Sequence, residues 1–352
     1  MHMAYGFSAE SHRERYRAGK VPNETPYGLH YAESLGWNIT YSVDYPESRL
    51  GNFFRRALIR VLGFDLIHAY KNRKLIQSAD IVWTMEEISF LAVCALPYFV
   101  RSMKRPRLIA QTIWLFNKWH GYSFVRRWML KKLLNRTDVL TFHSQNYIEM
   151  AASIVPNVPK QVLSYGVSPE TFPLTQKPTI LHTPMRLLSM GSDPTRDWPT
   201  LLSAFGGDDR FELRIVCGWV TNTMIADYKN VQCPRDPTMR EFQDLYLWAD
   251  AVIVPMVPNL YSGITVAMEA ASMGVPVVSS DTGSIPTYFA RDEVLYIQPQ
   301  DATALRETLL ACKTEDLASL AAKAQARFIK DDYTTHGLAK RYVALSEKLL
   351  AK

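Results

Sequence analysis

Residues 258–284 read PNLYSGITVAMEAASMGVPVVSSDTGS and combine the groups needed to hold an anionic ligand that also carries hydroxyls. An apolar run beginning at Ile264 is stopped by Gly274 and Pro276, which predicts a helix over residues 264–273. Ser262 stands where its hydroxyl could cap that helix, and Gly263 would let a ligand approach the backbone closely. The amides of Gly263, Ile264 and Thr265, reinforced by the helix dipole, would form an anion site suited to a diphosphate. Glu269 lies one to two turns further on, between Ala267, Met268, Ala270 and Ala271. A lone carboxylate in an otherwise apolar helix is poorly explained as solvated surface, and it could accept two hydroxyls of a ribose.

The elements that must position these groups alternate along the whole chain. Short β-type runs are expected near residues 3–7, 38–43, 80–84, 107–113, 138–142 and 161–164. Helical stretches at 122–134 and 145–154 separate some of them. Residues 168–184 contain four prolines and no sustained periodicity, so they read as a linker. Strands then recur at 186–190, 211–216, 251–254, 275–279 and 294–297, with helices at 198–205, 239–247, 301–312 and 335–350. The pattern predicts an α/β protein of two Rossmann-like doubly wound domains facing a cleft. The first would span 1–172, the second 173–334, and a final helix at 335–352 is expected to cross back to the first. Ligands of such sheets bind beyond the carboxyl ends of the strands, where helices begin.

Charge divides the chain unequally. The net charge of +6 combines 22 Lys+Arg against 13 Asp+Glu over residues 1–172 with 18 against 21 over the remainder. Between Arg49 and Arg136 the count is 17 against 4, which points the first half at an anionic partner. Residues 50–64 and 123–136 mix Phe53, Phe54, Leu58, Val61, Leu62, Phe64, Trp128, Leu130 and Leu133 with clustered Arg and Lys. Basic helices with aromatics favour an anionic membrane surface. No nucleic-acid recognition module is apparent. The four cysteines form no CxxC pair and read as reduced, packed thiols. The opening residues lack the apolar core of an export signal and no apolar run is long enough to span a bilayer. The expected location is the cytoplasm, on the inner face of the cell membrane.

The segment at 258–284 resembles the donor-site signature of GT-B glycosyltransferases of the retaining family 4 group. Glu269 matches the Glu that contacts the nucleotide ribose in that family. Gly274, Pro276, Val277 and Val278 match the tail, and Asp281, Thr282 and Gly283 the loop that follows. Tyr261 stands where the family has a further Glu directed at the sugar. Residues 163–172 (LSYGVSPETF) resemble the turn that closes the first domain. In residues 190–205 (MGSDPTRDWPTLLSAF), which resemble the diphosphate loop, Gly191 fits, Ser192 replaces an Arg, and Arg196 takes the place of the Lys. Residues 215–219 and 230–234 resemble the strand, turn and backbone that surround the base, with Arg235 an added candidate and Trp219 open to packing or stacking. In the first domain the resemblance is weaker. Gly6 stands alone where a Gly pair is usual, and residues 107–113 are followed by Trp114 and Leu115 rather than a His. His143, Glu86 and Glu87 are the acceptor-side candidates.

The resemblance implies transfer of a hexosyl unit from a nucleotide sugar, a UDP-sugar ahead of GDP- or ADP-sugars. The acceptor would be a saccharide or a lipid-linked saccharide, in exopolysaccharide or glycolipid synthesis. It also implies retention without a covalent intermediate and without a metal or other cofactor. Arg196 and Glu269 are the expected catalytic residues, with Arg196 and the helix N-terminus stabilising the leaving diphosphate. Two alternatives share the architecture: a sugar-nucleotide epimerase and a non-catalytic nucleotide-sugar-binding subunit.

Overall fold

The computed structural model describes residues 1–4, 8–101 and 103–351. The chain forms two compact units. The first comprises Met1–Arg15, Glu24–Ser164 and His336–Lys352; the second comprises Tyr16–Asn23 and Tyr165–Thr335.

The first unit is built on a parallel sheet of five strands in the order β1 (His2–Met3), β2 (Ile81–Thr84), β3 (Arg107–Gln111), β4 (Val139–Phe142) and β5 (Lys160–Val162). β2 and β4 are buried at every residue, which is why IVWT and VLTF read as continuous apolar runs rather than alternating ones. The helix Thr335–Leu350 contributes Leu338, Tyr342 and Leu345 to this unit's core beside Trp83. The indole Nε1 of Trp83 donates to Ser346 Oγ at 2.8 Å. The strand expected at 38–43 does not form. Among the described residues the segment makes one parallel bridge, His2 with Tyr41. The expectation at residues 3–7, including Gly6, falls partly on Tyr5–Phe7, outside the described residues.

The second unit holds six parallel strands: β6 (Met185–Met190), β7 (Phe211–Val216), β8 (Val231–Gln232), β9 (Ala251–Val254), β10 (Val277–Ser280) and β11 (Leu295–Ile297). Their spatial order is β11-β10-β9-β6-β7-β8. This is the doubly wound order in which the chain runs outward from β6, then returns to start again at β9. The reversal between β6 and β9 is the topological switch point, where such sheets bind ligands. The chain enters this unit at Tyr165 rather than after residue 172, because Val167 bridges to Thr334 and Phe172 is buried against Tyr246. Not every element was expected from sequence. The strand β8 is only two residues long, and the helix Thr314–Lys330 intervenes before the last one.

Candidate functional site

At the carboxyl ends of β6 and β7 the second unit contains a cavity of about 580 Å³. Gly191, Ser192, Asp193 and Arg196 line it from the loop after β6, and Cys217 and Gly218 from the loop after β7. Arg235 and Asp236 line it from the segment after β8, and Thr265, Val266 and Glu269 from the helix Ile264–Ser272 that follows β9. The loops after β6 and β9 are tied across the switch point by an antiparallel bridge between Arg196 and Met256. The amide of Asp197 donates to Pro255 O at 3.0 Å and that of Val257 to Thr195 O at 3.0 Å.

Arg196 is buried, and its Nε and Nη1 have no hydrogen-bond partner among the described residues. It pairs with Asp193, Nε to Oδ2 at 3.3 Å. Burial works against the guanidinium charge, and Asp193 is the chief compensation. Gly191 makes this placement possible: it has φ +143°, and a Cβ there would lie 2.0 Å from Arg196 Nε. Asp193 was not a sequence candidate. Burial raises its carboxyl, but Arg196 and hydrogen bonds from Thr195 and Ser262 outweigh that and hold it below the usual carboxylate range.

Glu269 is half-buried, with surface toward the cavity. Its Oε2 accepts a hydrogen bond from the Tyr246 hydroxyl at 2.6 Å. Burial pushes the carboxyl up to about 7, although Tyr246 and the charge of Arg196 both pull it down. The helix that carries it begins at Gly263 with no side-chain cap, so its first amides lack intrahelical acceptors. Ser262 does not supply the expected cap. Its hydroxyl donates instead to Asp193 Oδ1 at 2.9 Å and lies 2.7 Å from Thr195 Oγ1. Gly263 serves internal packing rather than ligand approach: at φ +97° a Cβ would meet Ile285 Cδ1 at 2.8 Å and Met256 Sδ at 2.9 Å. Tyr261, Ser262, Gly263 and Ile264 are not among the cavity's lining residues; Thr265, which is exposed, is.

Arg235 forms one wall by clasping the turn after β7. Its Nη1 donates to Cys217 O at 3.1 Å and its Nη2 to Asn222 Oδ1 at 3.1 Å. Trp219 is 63% exposed and does not line the cavity. Lys20 does line it, which sequence reasoning missed. Residues 16–23 pack within this unit, where Met239 N donates to Gly19 O at 2.8 Å and Thr171 Oγ1 to Pro22 O at 2.8 Å. Lys20 Nζ is thereby brought to Asp236 Oδ2 at 2.8 Å.

The acceptor-side candidates lie in the first unit, at the ends of β2 and β4. Glu87 is corrected to a structural residue: it is buried, and its Oε1 accepts the amides of Ile113 and Leu115 at 2.7 Å and that of Trp114. Burial still pushes its carboxyl above the normal range against those amides. Glu86 is half-buried, and its carboxyl is pushed up to about 7 by burial first and by the Glu87 charge second. His143 follows β4 with its pKa pushed down to about 4 by burial, so the ring is neutral near pH 7. All four cysteines are free, with Cys94 and Cys217 buried.

Two parallel α/β units with this strand order, the second carrying a cavity at its switch point, define the GT-B fold. Residues 179–314, which lie within the second unit, match the family described as Glycosyl transferases group 1. The chain is similar to the amylovoran biosynthesis glycosyltransferase AmsK of Erwinia amylovora, 26% identical over 262 residues that cover 65% of this chain. It spans 63% of the length of that curated relative. Among solved structures, sucrose-phosphate synthase from Thermosynechococcus elongatus superposes with a TM-score of 0.75 at 16% identity, covering 99% of this chain and 98% of that one. Anabaena HepE, solved in complex with UDP and glucose, superposes with a TM-score of 0.63 at 14% identity, covering 90% and 87%. No helix among the described residues is long and apolar enough to cross a membrane.

Proposed function

We propose that this chain is a glycosyltransferase of the retaining family 4 group. It takes a hexosyl unit from a nucleoside-diphosphate sugar, a UDP-sugar first, and passes it to a saccharide or lipid-linked saccharide in cell-surface polysaccharide or glycolipid assembly. It works in the cytoplasm at the inner face of the membrane. The observation that carries the reading is the buried guanidinium of Arg196, whose Nη1 has no hydrogen-bond partner among the described residues, lining the same cavity as an uncapped helix N-terminus and Glu269.

In this reading the ribose hydroxyls donate to Glu269, and the diphosphate lies between Arg196, Lys20 and the amide of Thr265. As the bond between anomeric carbon and phosphate oxygen breaks, negative charge accumulates on the leaving diphosphate. Fixed donors aimed at that charge lower the barrier without reorganising, so the protein's own cations take the part a metal would otherwise play. The leaving phosphate accepts the proton of the acceptor hydroxyl as that oxygen bonds to the same face of the sugar. HepE, whose structure is in complex with UDP and glucose, and AmsK, named for amylovoran biosynthesis, support the choice of donor and pathway. Glu86, with its raised pKa, and His143 are proposed to meet the acceptor.

The test is a thermal-shift panel of nucleotides and nucleotide sugars, because a ligand of the native state raises the midpoint by mass action. A uridine diphosphate or UDP-sugar should stabilise the wild type, and both Arg196→Ala and Glu269→Ala should abolish the shift. Retention of the shift in both variants would place the donor elsewhere.

A further inference from the structure

The helix Arg49–Leu62 in the first unit is amphipathic in the reverse of the usual sense. Its one buried residue is an arginine, Arg55. Leu50, Phe53, Phe54 and Val61, all more than 60% exposed, recur with Ala57 at the spacing of a single helical face. Arg49, Arg56 and Arg60, also exposed, run along one flank of that stripe, and the helix contains no acidic residue.

The inversion is held from inside. Arg55 Nη1 pairs with Asp65 Oδ2 at 2.6 Å, and its Nε with Glu47 Oε2 at 2.9 Å. Asp65 in turn caps the next helix by accepting His68 N at 3.0 Å, and Lys71 Nζ holds Glu47 at 2.7 Å. Breaking this buried network would leave Asp65 with an uncompensated charge, so the helix cannot roll its phenyl rings inward without large cost. The helix end meets a second basic helix, Phe124–Leu134. The Arg126 guanidinium lies against Gly63, so close that a Cβ there would meet it at 2.4 Å. Phe124 and Val125, which precede Arg126, are exposed as well.

We infer that the helix Arg49–Leu62 is an in-plane anchor for an anionic lipid surface, its outward face fixed by Arg55. The apolar stripe would enter the boundary between headgroups and acyl chains while the flanking arginines meet the phosphates. A second copy of this chain is the poorer occupant, since stacking two such faces would bring two rows of arginines together. The inference rests on the membrane-facing part of the proposed function and names the element responsible for it.

The experiment is co-sedimentation of the full chain with phosphatidylcholine vesicles and with vesicles that also contain phosphatidylglycerol, repeated at raised salt. The wild type should bind the anionic vesicles more tightly, and salt should weaken that binding. The double variant Phe53→Ser/Phe54→Ser should lose roughly a hundredfold in partitioning, about tenfold for each ring. Arg49→Gln/Arg56→Gln/Arg60→Gln should lose roughly fivefold per charge on anionic vesicles. Because these side chains are exposed, the melting temperature of each variant should match the wild type. Unchanged binding by the Phe variant overturns this helix as the anchor. Failure of the wild type to bind either vesicle overturns the membrane location as well. A wild-type dimer that the Phe variant converts to monomer, with no vesicle binding, would assign the stripe to self-association. None of these results alters the nucleotide-induced shift, which tests the donor site separately.

Discussion

Each unit sets a glutamate on the helix that follows a buried parallel strand, and the two are used in opposite ways. Glu87, after β2, has one carboxylate oxygen filled by three successive amides of the loop after β3. Glu269, after β9, receives one hydrogen bond from Tyr246 and borders open volume. Both carboxyls are raised by burial, so a perturbed pKa does not distinguish them. The distinction is whether the protein already supplies the donors. A carboxylate saturated by backbone holds a loop in place, whereas one with spare acceptor capacity beside a cavity is available to a ligand.

The sharpest way to break this comparison is to truncate both. Glu87→Ala removes the acceptor for three amides in a buried site, and each donor left unsatisfied costs about 1–3 kcal/mol. A loss of about 3–5 kcal/mol in denaturant unfolding is expected. Glu269→Ala leaves only the Tyr246 hydroxyl without its partner and removes a desolvated carboxyl, so its stability should stay within about 1 kcal/mol of wild type while the nucleotide shift disappears. Equal destabilisation in the two variants would erase the contrast.

The second prediction concerns pH and has a definite sign. A carboxyl near 7 in the native state, against an ordinary value of 4.5 when unfolded, binds more protons folded than unfolded throughout that window. Stability must then fall as pH rises from about 4.5 to 7. Glu269→Gln should flatten the profile by on the order of 2 kcal/mol. Glu86 is raised to about 7 as well, so Glu86→Gln should flatten the same window independently. Nucleotide affinity divides the two. If ribose hydroxyls donate to ionised Glu269, affinity weakens below pH 7 in the wild type and in Glu86→Gln, and loses that dependence in Glu269→Gln.

The parallel sheets were legible because strands buried on both faces must be apolar without interruption, as AVIV in β9 and IVWT in β2 illustrate. The segment 38–43 (NITYSV) alternates instead, and among the described residues it makes a single bridge, His2 with Tyr41. In the second unit, Gly191, Arg196, Thr265 and Glu269, named from the resemblance and the helix start, line one cavity because the switch point places strand-end loops and the next helix's first turns around it. Lys20 could not be read, since nothing in residues 16–23 reveals that they pack with the second unit. The same limit applies to Ser262 and Glu87. Whether a hydroxyl caps its own helix or donates to Asp193 depends on chain far away in sequence. Whether a glutamate faces ligand or three amides is decided in the same way.

The smallest expected effects come from two glycines that line the same cavity. Gly191 and Gly218 follow adjacent strands, and both would ordinarily be explained by a ligand passing close to the backbone. Their surroundings differ. A Cβ at 191 would lie 2.0 Å from Arg196 Nε, on a backbone at φ +143°, whereas a Cβ at 218 meets nothing within 4 Å. Gly191→Ala should therefore displace the guanidinium and weaken nucleoside diphosphate binding by roughly tenfold, about the value of one hydrogen bond to a charged group. Gly218→Ala should leave both binding and stability unchanged if the ligand keeps clear of that turn. A loss confined to Gly218→Ala would mean that the nucleotide lies over β7 and that Arg196 acts from further off.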